Sequence, residues 1–336
     1  MCLLGEARAA TTEGKQPFLV QQRFKGEGFA PQSTTAIPLA KPLPAGELRL
    51  LFGEEPGMAG STEREWTLKP AEETLLVYFA RAPQPRQPSK ERLRYFAKYL
   101  EHAEPAIAAD ALMEFAHADL PQVREIADAF SSADVRNWLD DAEVRPERKG
   151  FYGLLLGLLA QENPRERAAN LALLEKLVFA PGNDYRAGHD GMIAGYLLAG
   201  GKDSFAALHK RLLTKADAPP GDLKHAVAAL RFYYEYGAAE LRPQVIAAIA
   251  LLAERPVTAA AAIVDLTRWQ AWDLLPRIVA MYDHPQTDAV IKRAVVGYLR
   301  RDSEPAGKAA LEKLRAADPT GVAAAEAILE RMMGKE

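Results

Sequence analysis

Residues 145–180, RPERKGFYGLLLGLLAQENPRERAANLALLEKLVFA, decide the fold. They read as helix, tight turn, helix. Phe151, Leu154, Leu155, Leu158 and Leu159 recur at the spacing of one apolar helical face. Gly150, Gly153 and Gly157 form a second stripe on the same helix. Each glycine weakens a helix by about 1 kcal/mol relative to alanine. Three on one side therefore call for another helix at close approach. In the turn, Asn163 suits an N-cap, Pro164 a first helical position and Glu166 a capping box. Leu171, Leu174 and Val178 line the second helix. A pair this apolar cannot bury its own surface and needs neighbours of the same kind.

Working outward, helical periodicity runs from Ser89 to the C-terminal end. Helix starts are marked by Ser89, Pro105, Pro121, Asp222 and Asp318-Pro319. First helices of the later pairs begin near residues 190, 222, 257, 287 and 320, a repeat of about 32 residues, which is the signature of an α-solenoid. Before residue 83 the pattern is different. Residues 18–24, 47–52 and 73–79 are rich in β-formers, and 65–68 form a weaker candidate. Prolines 31, 38, 42 and 44 break the stretch between the first two. The expected organisation is a small all-β barrel or sandwich over 1–83, a proline-rich linker over 84–88 and an α-solenoid over 89–336. The whole is mainly α.

The helical pairs around GFYGLLLGLLAQENPRERAANLALLEKLV, DGMIAGYLLAGGKDSFAALHKRLL and AVAALRFYYEYGAAELRPQVIAAIALL resemble HEAT-like repeats, as found in many bacterial proteins. The resemblance covers about three quarters of the chain. It implies a stack of helix pairs that binds another molecule. The aspartate and arginine ladder usual in that family is not evident in the sequence.

Composition narrows the function. Apolar residues make up 49% and charged residues 26%, with a net charge of −3. Basic and acidic residues nearly balance on both sides of Pro85, so a broad phosphate-binding face is disfavoured. Cys2 is the only cysteine, which excludes an internal disulfide and cysteine-based zinc sites. The six histidines form neither an HxxxH nor an HExxH motif, so no metal is expected. Phosphate-binding, dinucleotide and nucleophile-elbow motifs are absent, and no cofactor or catalytic residue is expected. No apolar run is long enough to span a bilayer. Residues 1–8 begin inside a strand with no lead-in. Localisation stays unassigned, with a start upstream of Met1 and a removed export signal left open.

Two aromatic groups are the candidate binding residues. Leu223, Val227, Leu230 and Tyr234 share one stripe of a helix near 222–236. Phe232 and Tyr236 lie on another side with His225, and Tyr233 on a third. Trp269 and Trp272 sit at a bend one repeat further on. Tyr233 is expected as an exposed contact and Trp272 as packing between repeats. Tryptophan beside Asp273 also resembles the arrangement in HEAT-like DNA glycosylases, an alternative that needs a basic groove. At the N-terminal end Phe18, Arg23, Phe24, Lys25 and Phe29 mix rings with charge. Strand alternation places Phe18 and Phe24 on one core side, with Arg23 and Lys25 on a wet side. The reading is a non-catalytic scaffold or adaptor that holds a partner protein or peptide.

Overall fold

The computed structural model describes residues 1–9, 14–54, 64–84, 87–182 and 186–333. Pro85 and Arg86 of the expected linker lie outside them. The chain is mainly helical, and it divides into two compact units, Met1–Ala129 and Phe130–Glu336.

The first unit opens with a curled antiparallel sheet of β1 (Cys2–Ala7), β2 (Lys15–Lys25), β3 (Thr34–Pro38), β4 (Leu48–Glu54) and β5 (Glu65–Pro70). The strand order is β3-β2-β1-β4-β5, with β3 and β5 at the edges. Alternation along the strands turns Leu3, Ala7, Phe18, Val20, Ile37 and Leu51 into one buried cluster. The unit continues with α1 (Glu73–Arg81), α2 (Ser89–Ala97), α3 (Pro105–Ala116) and α4 (Leu120–Arg124). The compact unit thus runs past residues 83–88 and takes in helices that the sequence assigns to the repeat array.

Residues 73–79 correct the strand reading. They form α1, and Leu75, Tyr78 and Phe79 are its buried side. These three stand at helical spacing, which aims all of them at one surface; as a strand they would have pointed to both faces. Phe79 meets Phe24 of β2 and Phe52 of β4, with ring centres 6.1 and 5.6 Å apart. Phe18 instead joins the cluster around Leu3, and the pairing register of β1 and β2 shifts twice on the way to Phe24, opposite Leu4/Gly5 and opposite Cys2/Leu3. Simple alternation therefore fails to carry through from Phe18 to Phe24.

Lys25 is the second correction. Its ammonium does not face water. It lies 2.7 Å from Asp110 and 2.7 Å from Glu114, both on α3, and 4.9 Å from the centre of the Phe96 ring. The Tyr78 hydroxyl donates to the other Asp110 oxygen at 2.8 Å. Burial first, then Asp110, holds the Tyr78 phenol far above its ordinary pKa, so it remains a donor. Burial and the same carboxylate push the Cys2 thiol up to about 12, which keeps it protonated and inert. Strand, α1 and α3 thus converge on one polar centre. Lys25→Met should leave Asp110 with the Tyr78 hydroxyl and Glu114 with Arg92 at 3.3 Å as their remaining partners, and lower stability by about 1.5–3 kcal/mol. Urea unfolding would check this, and a loss below about 0.5 kcal/mol would make the centre a solvated surface pair.

The second unit contains α5 (Ser132–Asp140), α6 (Pro146–Glu162), α7 (Arg167–Val178), α8 (His189–Gly200), α9 (Lys202–Leu208) and α10 (Pro220–Tyr236). It continues with α11 (Arg242–Ala253), α12 (Pro256–Arg268), α13 (Leu275–Ala280), α14 (Ala289–Arg301), α15 (Pro305–Ala317) and α16 (Pro319–Met333). Proline opens α6, α10, α11, α12, α13 and α15, where its missing N–H removes no helical bond. Helix α7 starts later than the capping pattern predicts. Asn163 ends α6, and its side chain accepts from Arg165 N at 3.2 Å inside the turn.

Alternate helices pack against one another in the series α6, α8, α10, α12, α14 and α16. The tightest contact is α6 against α8. A Cβ added to Gly157 would stand 2.3 Å from Gly195 O, and one added to Gly195 would stand 1.9 Å from Gly153 O. The close approach read from Gly150, Gly153 and Gly157 is present, and its partner is a second stripe of Gly188, Gly191 and Gly195 with the same spacing. Helix α8 is buried on nearly every side, from Met192 through Gly200. Such a helix shows no amphipathic stripe.

Several polar bonds of the second unit join side chains that stand 34 or 36 residues apart in the sequence. Arg136 bonds Asn170 and Arg231 bonds Asp265, each pair 34 residues apart. Arg186 bonds Asp222 and Arg211 bonds Glu175, each 36 apart.

Candidate functional site

The expected binding residues do not form one patch. Tyr233 is 2% exposed and belongs to the core of α10, which corrects the expectation that it offers an exposed contact. The helix is covered on three sides, so a ring on its third side still meets neighbours. Phe232 and Tyr236, one helical turn apart, pair with each other at 4.8 Å and are half-buried. Trp269 stacks at 4.0 Å and 17° on Tyr234, a residue the sequence assigned to the core stripe. The Arg242 guanidinium lies 5.3 Å from the Tyr234 ring centre, and its Nε donates to Tyr234 O at 3.1 Å. Trp272 packs edge-on against Tyr298 of α14 at 4.9 Å, while Tyr298 Oη donates to Ala271 O at 2.5 Å. That arrangement fastens the bend after α12 to the next helix of the series. Asp273, the carboxylate of the glycosylase-like alternative, is exposed.

Two polar centres lie inside the second unit. In the first, Arg186 forms a two-point pair with Asp222, at 3.2 and 2.9 Å. It also donates to the carbonyls of Leu177, Val178 and Ala180, which closes the C-terminal end of α7. Its Nη2 lies 2.5 Å from Nε2 of His189, which is 1% exposed. A guanidinium only donates, so Nε2 accepts and the neutral ring carries its proton on Nδ1. Nδ1 has no hydrogen-bond partner. Burial first, then Arg186 and His225, lower the imidazole from 6.5 to about 3. Asp190, in the first turn of α8, lies 3.5 Å from Nδ1 of His225, and Gly188 holds the cap position in a left-handed conformation.

In the second centre Asp265 of α12 is fully buried. Its Oδ1 accepts from Arg231 Nε of α10 at 2.6 Å, and Arg268 stands 3.7 Å away. Its Oδ2 is buried without a hydrogen-bond partner. The first centre ties the segment before α8 to the end of α7 and to α10, and the second ties α10 to α12 through a carboxylate closed to solvent. No group of three or more histidine, cysteine, aspartate or glutamate side chains that could hold a metal ion occurs among the described residues. No helix among them is long and apolar enough to cross a membrane.

Helices α10, α12 and α14 pack in that order, and exposed apolar residues stand on two of them. Val257 and Val264 on α12 are 38% and 48% exposed, and Val290 on α14 is 46% exposed. Their neighbours in phase are Lys224, Ala228 and Arg231 on α10, Ala261 and Arg268 on α12, and Arg293, Gly297 and Arg301 on α14. At the N-terminal ends of α10 and α12 an open groove of about 690 Å³ adjoins Val257, between Pro220, Leu223, Arg255, Pro256 and Gln286. In the sequence these valines are outweighed by the bulky rings of α10 and of the bend after α12. The available signal was an apolar residue recurring in the same helical phase, outside the core stripe. In comparisons with protein-family models, curated proteins and solved structures, none matches this chain.

Proposed function

We propose that the protein is a non-catalytic interaction module, an α-solenoid of HEAT-like helix pairs that holds a partner protein on the open side of α10, α12 and α14. Support for a solenoid comes from the packing of alternate helices and from arginine bonds that join residues 34 apart in the sequence. The observation that carries the docking role is the set of exposed valines, Val257, Val264 and Val290, on adjacent helices. Single exposed valines are ordinary, whereas a group framed by polar residues marks an interaction surface. The polar centres at His189 and Asp265 act in this reading as fasteners that hold the face rigid. Preorganisation of this kind reduces the ordering lost on binding.

The test uses the full chain as bait, wild type beside Val264→Asp. Exposure of Val264 means that the variant should melt like wild type, while a charge at the centre of the face removes the bound partner. Undiminished capture by the variant would place the interaction elsewhere.

A further inference from the structure

We infer that the partner segment seated on α10, α12 and α14 is an acidic amphipathic helix, its apolar side on the valines and its carboxylates on the surrounding arginines. The inference rests on the docking role above and names the chemistry of its occupant.

Three observations carry it. The charges around the valines are mostly of one sign. Lys224, Arg231, Arg268, Arg293 and Arg301 stand there against Glu235, Asp265 and Asp288. Two of those acids are engaged: Asp265 is buried under Arg231, and Asp288 Oδ1 caps α14 by accepting from Val290 N and Ile291 N at 2.9 and 2.8 Å. Only Glu235 is an exposed acid without such a role. This bias contrasts with the chain as a whole, whose net charge is −3.

Second, Lys224, Arg293 and Arg301 have no ion-pair or hydrogen-bond partner from their side chains among the described residues. Long cationic side chains left without carboxylates at the rim of an apolar strip are poised for a partner's carboxylates. Third, the apolar strip has helical proportions. Val257 and Val264 lie two turns apart along α12, and Val290 stands exposed on α14, the helix packed beside it. An incoming helix with apolar residues at i, i+3 or i+4 and i+7 matches that span. The groove beside Val257, walled by Pro220, Leu223 and Pro256 with Arg255 at its side, would take one larger apolar side chain.

Nucleic acid fits less well. A phosphate backbone needs a continuous basic track, and here valines occupy the middle of the face.

The probe is a labelled helical peptide of about 18 residues, with leucines at i, i+3 and i+7 and glutamates beside them. Its counterpart carries lysines in place of the glutamates. Binding is read by fluorescence anisotropy on the full-length protein, at low and high salt, for wild type, Arg293→Glu/Arg301→Glu and Val264→Asp. Arg293 and Arg301 make no internal bonds, so the double variant should keep the wild-type melting temperature.

The acidic peptide should bind wild type, weaken by about tenfold or more in the double variant and weaken again with salt. The lysine peptide should bind the double variant better than wild type. Equal binding of both peptides to wild type overturns the charge assignment; if Val264→Asp still abolishes it, the docking face survives without its acidic partner. Acidic-peptide binding that neither variant changes removes both the assignment and the face. Failure of the acidic peptide to bind at all overturns the assignment, and the capture comparison above then decides the face by itself. A single-stranded oligonucleotide displacing the acidic peptide more effectively than unlabelled peptide overturns it in favour of nucleic acid.

Discussion

Gly195→Ala should lower the stability of the second unit by about 3 kcal/mol or more, although alanine is the better helix former by about 1 kcal/mol. The new methyl would stand 1.9 Å from Gly153 O, a distance no side-chain motion can relieve, because the obstacle is backbone. Helices α6 and α8 would have to separate. Separation would also open the contacts that Gly157 makes with Gly195 and that Gly191 makes with Gly150. Overpacked cores ordinarily lose 1–3 kcal/mol, roughly, and rigid backbone on both sides puts this position at the upper end. Gly297→Ala on α14 is the control. Its added methyl meets only Leu329, at 3.7 Å, which is ordinary contact. There the propensity gain should dominate, with stability unchanged or raised by up to about 1 kcal/mol. Urea midpoints of the two variants against wild type decide the matter. If both glycines respond alike, the helices are not in backbone contact.

The second large effect is a dependence on pH through His189. In the unfolded chain its imidazole takes up a proton near pH 6.5; in the folded chain burial, Arg186 and His225 defer that to about 3. Between those values the unfolded state binds the additional proton. Stability therefore falls as the pH is lowered through this window and is unaffected by this residue above it. One pH unit corresponds to about 1.4 kcal/mol, so the loss from this group approaches about 2–3 kcal/mol at pH 4.5 and on the order of 4–5 kcal/mol by pH 3. His189→Gln retains an acceptor for the Arg186 guanidinium but does not titrate. Its stability difference between pH 7 and pH 4.5 should be smaller than that of wild type by about 2 kcal/mol. The comparison is made by denaturant unfolding at each pH. Parallel pH profiles for the two proteins would remove His189 as the source.

These two effects differ in how much of them the sequence discloses. The stripe Gly150, Gly153, Gly157 announces a close neighbour, since nothing else compensates three weak helix formers on one side. That neighbour carries the same spacing in GHDGMIAG at residues 188–195, so it was legible in principle as a repeated pattern. His189 was not legible. Its environment is made by Arg186 from the preceding loop and by Asp222 and His225 from α10, and only folding brings those groups together. Arg231 with Asp265 is similar: each is an ordinary surface residue until α10 and α12 pack. Residues 73–79 show a different limit. ETLLVYF suits a strand by composition and a helix by spacing, and in so short a run neither dominates until Phe24 and Phe52 supply a surface for Phe79. Tyr233 shows the same limit at the candidate site. Ring content identified α10 as unusual, but which ring faces water depends on α12 lying beside it.

The glycine contact also bears on how the chain is made. Helix α6 presents bare backbone along one side, and the backbone that covers it belongs to α8, with α7 in between. A ribosome that has released α6 and α7 has released a hairpin whose smoothest surface is still open. Only after Gly195 leaves the exit tunnel can that surface close, so this segment cannot consolidate helix by helix as synthesis proceeds.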